Sequence, residues 1–303
     1  MTAAIETFDL RVAYRQGWRR RPTFAVNGLD LRVDSGECVG FIGPNGAGKS
    51  STIKALMGFL EPDGGEARLL GCPAGDPEAR RRVGFLPEVA LYYPWLTPME
   101  TLRLYGRLQG IPAATLRQQI PELLARVGLA GREHDRLHRF SKGMLQRVGI
   151  AQALLGQPEL LVLDEVSSGL DPIGRRELRQ LLGECKRGGT TIFFSSHELT
   201  EVAHLCDRVI VVRAGRIVAD RRVPELLQEL RRYRIRFRAT HPPVPATRVG
   251  EAWEAEFPSA AEWQQALARL RPPDAELLDA SVREGELEEY FVRLIATPEE
   301  GHA

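Results

Sequence analysis

The chain has 303 residues, 43% hydrophobic and 27% charged, a composition typical of a globular protein with room for one large α/β domain and a smaller one. A formal net charge of +1 argues against a general nucleic-acid binder, which normally carries a broad basic excess. No long uncharged apolar stretch and no basic-then-apolar N-terminus occurs, so we expect neither a membrane span nor a secretion signal. The four scattered cysteines lack metal-binding spacing, which predicts reduced thiols in the cytoplasm.

Apolar runs alternate with helical patterns up to about residue 220, which predicts parallel strands joined by crossover helices. Several runs lack polar alternation, as central strands covered on both faces do: residues 38–42, 83–86, 160–163 and 191–195. Residues 97–156 instead show the apolar spacing of helices. We therefore expect an α/β core over residues 1–222 that carries a helical insertion at about residues 97–156.

The pattern changes near residue 222, after a hairpin-like turn between the short strands at residues 208–212 and 216–219. Helical and strand patterns then alternate with a proline-rich loop: helix 224–232, strand 233–238, loop 241–246, strand 252–257, helix 259–271, strand 276–282 and helix 286–297. Residues 223–303 are therefore expected to form a small separate α+β module.

A glycine-rich run follows the predicted strand at residues 38–42 and leads into a predicted helix at residues 52–59. Glycines let consecutive backbone N–H groups curve around an anion, and a helix N-terminus favours negative charge at the same place. The predicted phosphate-binding loop contains Gly43, Asn45, Gly46, Gly48, Lys49, Ser50 and Ser51. We expect Lys49 to reach the β- and γ-phosphates of a nucleotide, and the Ser50 hydroxyl to ligand Mg²⁺.

Polar residues also follow two later strands of the predicted sheet. Because the carboxyl end of a parallel strand opens onto the ligand crevice, Asp164 is placed to hold Mg²⁺ through its water shell. Glu165 is placed to polarise a water for attack on the γ-phosphorus, and His197 to hydrogen-bond the γ-phosphate. Taken alone, Asp164 and Glu165 could simply form an acidic turn after a strand, and His197 could simply cap a helix.

Ser141 precedes a predicted helix that runs to residue 155. A serine N-cap and the free backbone N–H groups of the first helical turn can bind an anion, which would make this a second anion-binding site. Taken alone, the serine is merely a helix cap.

Together these motifs resemble the ATP-binding-cassette family of ATPases, in the family's order, across residues 1 to about 220. The matching segments are the phosphate loop at residues 43–50, the signature motif at 141–146, the second nucleotide motif at 160–165, the loop that crosses between subunits at 168–171, and the switch histidine, His197. Generic P-loop kinases and GTPases lack the signature motif. The resemblance implies a P-loop NTPase fold, hydrolysis of ATP, and Mg²⁺ as cofactor.

The resemblance further implies that two copies close face to face. Each ATP would then lie between one chain's phosphate loop and the other chain's Ser141 and Gly143, and Asp171 would belong to the loop that crosses between subunits. Tyr14 is similar to the aromatic residue that stacks on adenine in this family, with Trp18 and Phe24 as rivals.

Three residues depart from the common family pattern. Glu88 stands in place of a usual glutamine, and we expect its carboxylate to ligand Mg²⁺. Lys142 replaces the usual second glycine of the signature, where it would either bring positive charge near the γ-phosphate or point to solvent. Val166 stands where a proline is common, and we expect little effect from it.

One cassette followed by a short module is similar to the ATPase subunits of bacterial exporter-type systems. This implies a homodimer bound to two integral-membrane transporter subunits at the inner face of the cell membrane, without a nucleic-acid partner. Residues 89–98, which include Tyr92, Tyr93 and Trp95, would either contact such a partner or pack inside the helical insertion.

Three other functions compete with transport. The first is a soluble cassette ATPase that acts on ribosomes or in iron–sulfur assembly, although ribosome-acting members usually join two cassettes in one chain. The second is a chromosome-maintenance ATPase, which would need a long coiled coil between residues 51 and 140, where no sustained heptads occur. The third is nucleotide binding without turnover, which the combined presence of Asp164, Glu165 and His197 opposes.

Overall fold

The computed structural model describes residues 2–15, 22–196, 198–283 and 287–296. The chain divides into two compact units, one that ends at Arg221 and one that begins at Arg222. Each unit is built around sheets of its own.

The elements of the first unit follow one another along the chain as β1 Ala3–Tyr14, β2 Thr23–Asp34, β3 Cys38–Ile42, α1 Lys49–Leu56, β4 Gly64–Leu69, β5 Cys72–Pro73, α2 Pro77–Arg81, β6 Val83–Leu86, α3 Pro98–Leu108, α4 Ala113–Arg126, α5 Lys142–Ala153, β7 Leu160–Asp164, α6 Pro172–Arg187, β8 Thr191–Ser195, α7 Leu199–Leu205, β9 Arg208–Arg213 and β10 Arg216–Arg222. A short 3₁₀ turn, Leu137–Arg139, precedes α5. The second unit continues with α8 Val223–Glu229, β11 Arg232–Ala239, β12 Thr247–Val249, β13 Ala252–Phe257, α9 Ala260–Arg269, β14 Ala275–Arg283 and α10 Leu287–Ala296.

A six-stranded sheet in the order β10-β9-β3-β8-β7-β6 forms the centre of the first unit. Strands β6, β7, β8 and β3 pair in parallel, and β3 also pairs in parallel with β9. Strands β3, β7 and β8 are buried along their whole length, as their unbroken apolar sequences predict. Because these strands are parallel, the loops that follow them lie side by side at one edge of the sheet.

A second sheet, in the order β2-β1-β4-β5, is antiparallel throughout. The expectation of parallel strands up to about residue 220 is therefore wrong for this part of the chain. The reason is visible in β1 and β2, which alternate between buried and exposed positions and so keep one face towards a core. Val26 of β2, Ile53 of α1 and Phe193 of β8 belong to one buried cluster, which joins the two sheets through α1.

Helices α3, α4 and α5 lie between β6 and β7 in the chain and make up the expected helical insertion. Helix α3 begins with a capping box, in which the Thr97 hydroxyl accepts from the backbone N–H of Glu100 at 3.2 Å and the Glu100 carboxylate accepts from the N–H of Thr97 at 2.9 Å. A Cβ at Gly106 would lie 2.3 Å from Leu116, so this glycine allows α3 and α4 to pack closely.

The second unit is an α+β module. Its antiparallel sheet has the strand order β12-β13-β11-β14, and one face buries Ile235, Phe237 and Ala255 together with Ala266 of α9. Among the helices that the structure describes in either unit, none combines the length and apolar character needed to cross a bilayer.

Gly84 of β6 provides a test of the packing between the sheet and the helical insertion. A Cβ at this position would lie 1.9 Å from the carbonyl oxygen of Ala153 in α5 and 2.7 Å from Leu161. Because a backbone oxygen has little freedom to move away, Gly84→Ala is expected to lower the free energy of unfolding by about 3 kcal/mol or more. The measurement is the urea unfolding midpoint, followed by circular dichroism.

The matched control is Gly183→Ala in α6, where the nearest atom to the new Cβ is a terminal guanidinium nitrogen of Arg187 at 3.5 Å. There the better helix propensity of alanine is expected to raise stability by up to about 1 kcal/mol. Equal midpoints for the two variants would contradict the close packing inferred at Gly84.

Candidate nucleotide-binding site

The loop between β3 and α1 has a backbone path that only glycine fits at two positions. Gly48, the N-cap of α1, has φ +105°, and a Cβ there would lie 2.2 Å from the carbonyl oxygen of Ala25. A Cβ at Gly43 would lie 2.3 Å from the carbonyl oxygen of Val212. No side chain caps α1, which begins at Lys49, somewhat earlier than the predicted residues 52–59. The loop therefore ends in a helix N-terminus that is available to an anion.

A cavity of about 750 Å³ opens on this loop. Residues 45–51 line one side of it, and Tyr14, Glu88, Glu165 and Ser168 reach it from other elements. The loops after β3, β6 and β7 supply the phosphate loop, Glu88, Glu165 and Ser168, as the parallel sheet predicts, whereas Tyr14 comes from the end of β1 in the antiparallel sheet.

Lys49 and Glu165 are the closest pair of opposite charges in this cavity's lining. The two side chains are 6% and 12% exposed, and Lys49 Nζ lies 3.8 Å from Glu165 Oε1. Lys49 Nζ also donates to the carbonyl oxygens of Gly43 at 2.8 Å and Pro44 at 3.4 Å. The ammonium group is therefore held at the centre of the loop, next to a carboxylate.

Ser195, at the end of β8, holds the turn that follows β7. Its hydroxyl donates to Asp164 Oδ1 at 2.5 Å and accepts from the backbone N–H of Glu165 at 3.0 Å. Glu165 has φ +51°, which costs a non-glycine residue about 1 kcal/mol or more. Sequence reasoning missed Ser195, because its pairing opposite Asp164 depends on the parallel register of β7 and β8.

Tyr14 lies at the edge of the cavity. It is 43% exposed, and its hydroxyl lies 3.1 Å from the Ser51 hydroxyl. Of the two rival aromatic residues, Phe24 is not among the residues lining the cavity in the described part of the chain, and Trp18 lies outside the described residues.

The oxygen atoms in and beside the cavity fit a hard divalent cation. Ser50 and Glu88 line the cavity. Asp164 directly precedes the lining residue Glu165 and is 4% exposed, with one carboxylate oxygen bonded to Ser195. Within the described ranges there is no group of three or more His, Cys, Asp or Glu residues that would bind a metal alone. Such a sparse oxygen donor set suits Mg²⁺, which is commonly held by one or two carboxylates together with substrate phosphates.

The structure does not bring every predicted site residue to this cavity. Ser141 caps α5, with its Oγ accepting from the backbone N–H of Met144 at 3.3 Å, and Asp171 caps α6 through Gly174 at 2.7 Å. Among the described residues, neither of these nor Gly143 lines the cavity of its own chain. His197 lies outside the described residues.

The exposed Lys142 contacts the edge of the cavity. Its Nζ donates at 3.1 Å to the hydroxyl of Ser168, which lines the cavity. Val166, the third departure from the family pattern, is buried, and its carbonyl oxygen accepts from Gln146 Nε2 at 2.8 Å.

Comparison with known proteins assigns the family. Residues 26–168 match a family model described as ABC transporter. An uncharacterized ABC transporter ATP-binding protein of Nostoc sp. is 45% identical over 77% of this chain and 70% of its own. The daunorubicin/doxorubicin resistance ATP-binding protein DrrA of Streptomyces peucetius is 34% identical over 98% of this chain and 94% of its own.

A solved structure of an ATP-binding subunit of an ABC transporter is 33% identical and covers 74% of this chain and 91% of its own, with a TM-score of 0.66. The fold, the order of the motifs and these relatives agree with one another. The chain therefore belongs to the ATP-binding-cassette transporter family, as an ATP-binding and ATP-hydrolysing subunit.

Proposed function

We propose that the chain powers export through separate integral-membrane subunits and that residues around the phosphate loop carry out ATP hydrolysis. The observation that carries the hydrolysis in this proposal is the largely buried pair of Lys49 and Glu165, 3.8 Å apart at the phosphate loop. The pair combines a cation suited to bind phosphate with a carboxylate suited to activate water. We assign the ATP-binding domain to residues 1–222 and an accessory module to residues 223–303.

In this proposal, the backbone N–H groups of the phosphate loop bind the phosphates, and Lys49 binds the β- and γ-phosphates. The residues that contribute are Gly43, Asn45, Gly46, Gly48, Lys49, Ser50 and Ser51. Glu165 acts as general base on the attacking water. Two observations support this role: Glu165 lines the cavity, and the Ser195 hydroxyl bonds to its backbone N–H.

Ser50, Asp164 and Glu88 would hold Mg²⁺, and His197 would contact the γ-phosphate. Bound Mg²⁺ neutralises negative charge on the β- and γ-phosphates. Tyr14 would stack on adenine, for which its exposed ring at the cavity edge is suited, since stacking needs only an accessible aromatic face.

Two copies would close on ATP, with Ser141 and Gly143 of each chain completing the partner's site and Asp171 in the loop that crosses between subunits. Support comes from the position of Ser141, whose helix N-terminus is suited to an anion although it does not line the cavity of its own chain. Closure on ATP and opening after hydrolysis would then be the mechanical step.

Residues 89–98 are the proposed contact with the membrane subunits, which would hold the chain at the cytoplasmic face of the membrane. They follow Glu88 of the cavity directly. Tyr93 and Trp95 are 52% and 60% exposed, with ring centroids 5.3 Å apart. Tyr92 instead packs into the helical insertion, where it donates to Gln152 Oε1 at 2.9 Å, and burial raises the pKa of its phenol, which therefore stays protonated. The segment thus combines a packed residue, Tyr92, with two exposed aromatic rings, which suits a protein interface.

Transport is favoured over the soluble alternatives because the relative from Nostoc sp. is named as an ABC transporter ATP-binding protein. One relative is named for resistance to daunorubicin and doxorubicin, which is compatible with export. We propose that the membrane subunits select the cargo.

Glu165→Gln tests the general base. The amide keeps the size of the side chain but cannot accept a proton, so turnover is expected to fall by about 100-fold or more while ATP binding persists. Phosphate release measures turnover, and light scattering after gel filtration should detect an accumulated ATP-bound dimer. Hydrolysis near the wild-type rate would remove Glu165 from this role.

Lys49→Ala tests the phosphate loop. Loss of the buried ammonium group removes charge-assisted bonds to phosphate, so the Kd for ATP with Mg²⁺ is expected to rise more than about tenfold in calorimetric titration. Lys54→Ala, in the exposed last turn of the same helix, is the matched control and should bind ATP as the wild type does. Unchanged affinity in Lys49→Ala would contradict the assignment.

Replacing Tyr93 and Trp95 together with alanine tests membrane docking. Removal of both exposed rings is expected to lower co-purification with a polytopic membrane subunit at least about tenfold, because aromatic residues dominate interface energies. Phe8→Ala, which removes an exposed aromatic ring from β1, should leave recovery unchanged. Full recovery of the membrane subunit with the double variant would place the contact elsewhere.

A further inference from the structure

Lys142 connects the first turn of α5 to the loop that follows β7 within one chain. Its Nζ donates to the Ser168 hydroxyl at 3.1 Å. A Cβ built on Gly169 would lie 2.9 to 3.0 Å from Cγ, Cδ and Cε of Lys142, so the lysine stem lies directly across this glycine. Gly169 also has φ +84°, a conformation that favours glycine. The loop therefore binds both the stem and the ammonium group of Lys142.

Two neighbouring residues of α5 contact the same loop. A Cβ at Gly143 would lie 3.0 Å from the carbonyl oxygen of Gly169. Gln146, 4% exposed, donates from Nε2 to the carbonyl oxygen of Val166 at 2.8 Å. The N-terminal part of α5 and residues 166–169 are thus packed together, with Lys142 providing the charged contact.

The loop leads directly to the proposed general base. The backbone N–H of Ser168 donates to the carbonyl oxygen of Glu165 at 3.0 Å, which closes a tight turn between them. Ser168 and Glu165 both line the cavity. One side-chain contact and one turn therefore connect Lys142 to the backbone of Glu165.

We propose that Lys142 is a positioning residue that couples the two ATP sites of the dimer. Ser141, its chain neighbour, is the residue proposed to engage the partner's ATP, and Lys142 passes that engagement on to Ser168 and Glu165 of its own site. The inference rests on the proposed function. It adds a physical cause for cooperativity between the two ATP sites. Helix α5, when it contacts the ATP of the partner, would set the position of Glu165 in its own chain's site.

Lys142→Met tests the coupling, since methionine keeps an apolar stem without the ammonium group. The kcat of ATP hydrolysis is expected to fall about tenfold, because one charge-assisted hydrogen bond is lost. The KM for ATP is expected to change less than about twofold. The Hill coefficient should fall towards about 1. Lys142→Arg, which restores a cationic donor, should recover most of both values. A merely structural role would lower the melting temperature and leave the Hill coefficient unchanged.

A double-mutant cycle with Ser168→Ala identifies the contact. If the coupling passes through the Ser168 hydroxyl, Lys142→Met should cause no further loss of kcat in the Ser168→Ala background. Lys54→Met is the matched control for loss of an exposed lysine from a helix and should keep wild-type kcat and cooperativity. Fully additive losses from the two substitutions would overturn the proposed contact.

The outcomes separate this inference from the function on which it rests. A wild-type chain that hydrolyses ATP cooperatively, together with an unaltered Lys142→Met variant, would overturn the coupling and leave the proposed function intact. Absence of hydrolysis in the wild-type chain itself, assayed with its membrane subunits, would overturn both.

Discussion

The site depends on the parallel register of β7 and β8, which places Asp164 opposite Ser195. At this position one hydroxyl bonds to the Asp164 carboxylate and to the backbone N–H of Glu165. The two bonds hold a turn that Glu165 would otherwise adopt at a cost, given its φ of +51°. With this turn in place, Glu165 Oε1 lies 3.8 Å from Lys49 Nζ.

The phosphate loop and the turn after β7 use different devices to reach the same cavity. In the loop, glycine is required by close backbone contacts, such as the 2.2 Å approach that a Cβ at Gly48 would make to the carbonyl oxygen of Ala25. In the turn, side-chain hydrogen bonds compensate for an uncommon backbone conformation. Both devices consist of contacts within the protein itself, which hold the charged groups at the cavity.

In the proposed dimer, the signature-like helix α5 would contribute to both nucleotide sites. Its first residues do not line the cavity of their own chain, and they pack against the loop at residues 166–169. Such a helix is suited to contact a nucleotide bound to a second copy while it packs against the loop that leads to Glu165 of its own chain. Lys142, where the family usually has glycine, turns that packing contact into a charged one.

Short patterns in the sequence determined the phosphate loop, the carboxylate pair and the central strands, because each depends on neighbouring residues. Val83–Leu86, Thr191–Ser195 and Ala252–Phe257 have the predicted bounds. The antiparallel pairing of β1 and β2, the bonds of Ser195 and the contact of Lys142 with Ser168 were decided only by the tertiary structure. Each of these contacts joins residues that are distant in the chain. Strand register and loop packing decide such contacts, and local sequence propensity does not.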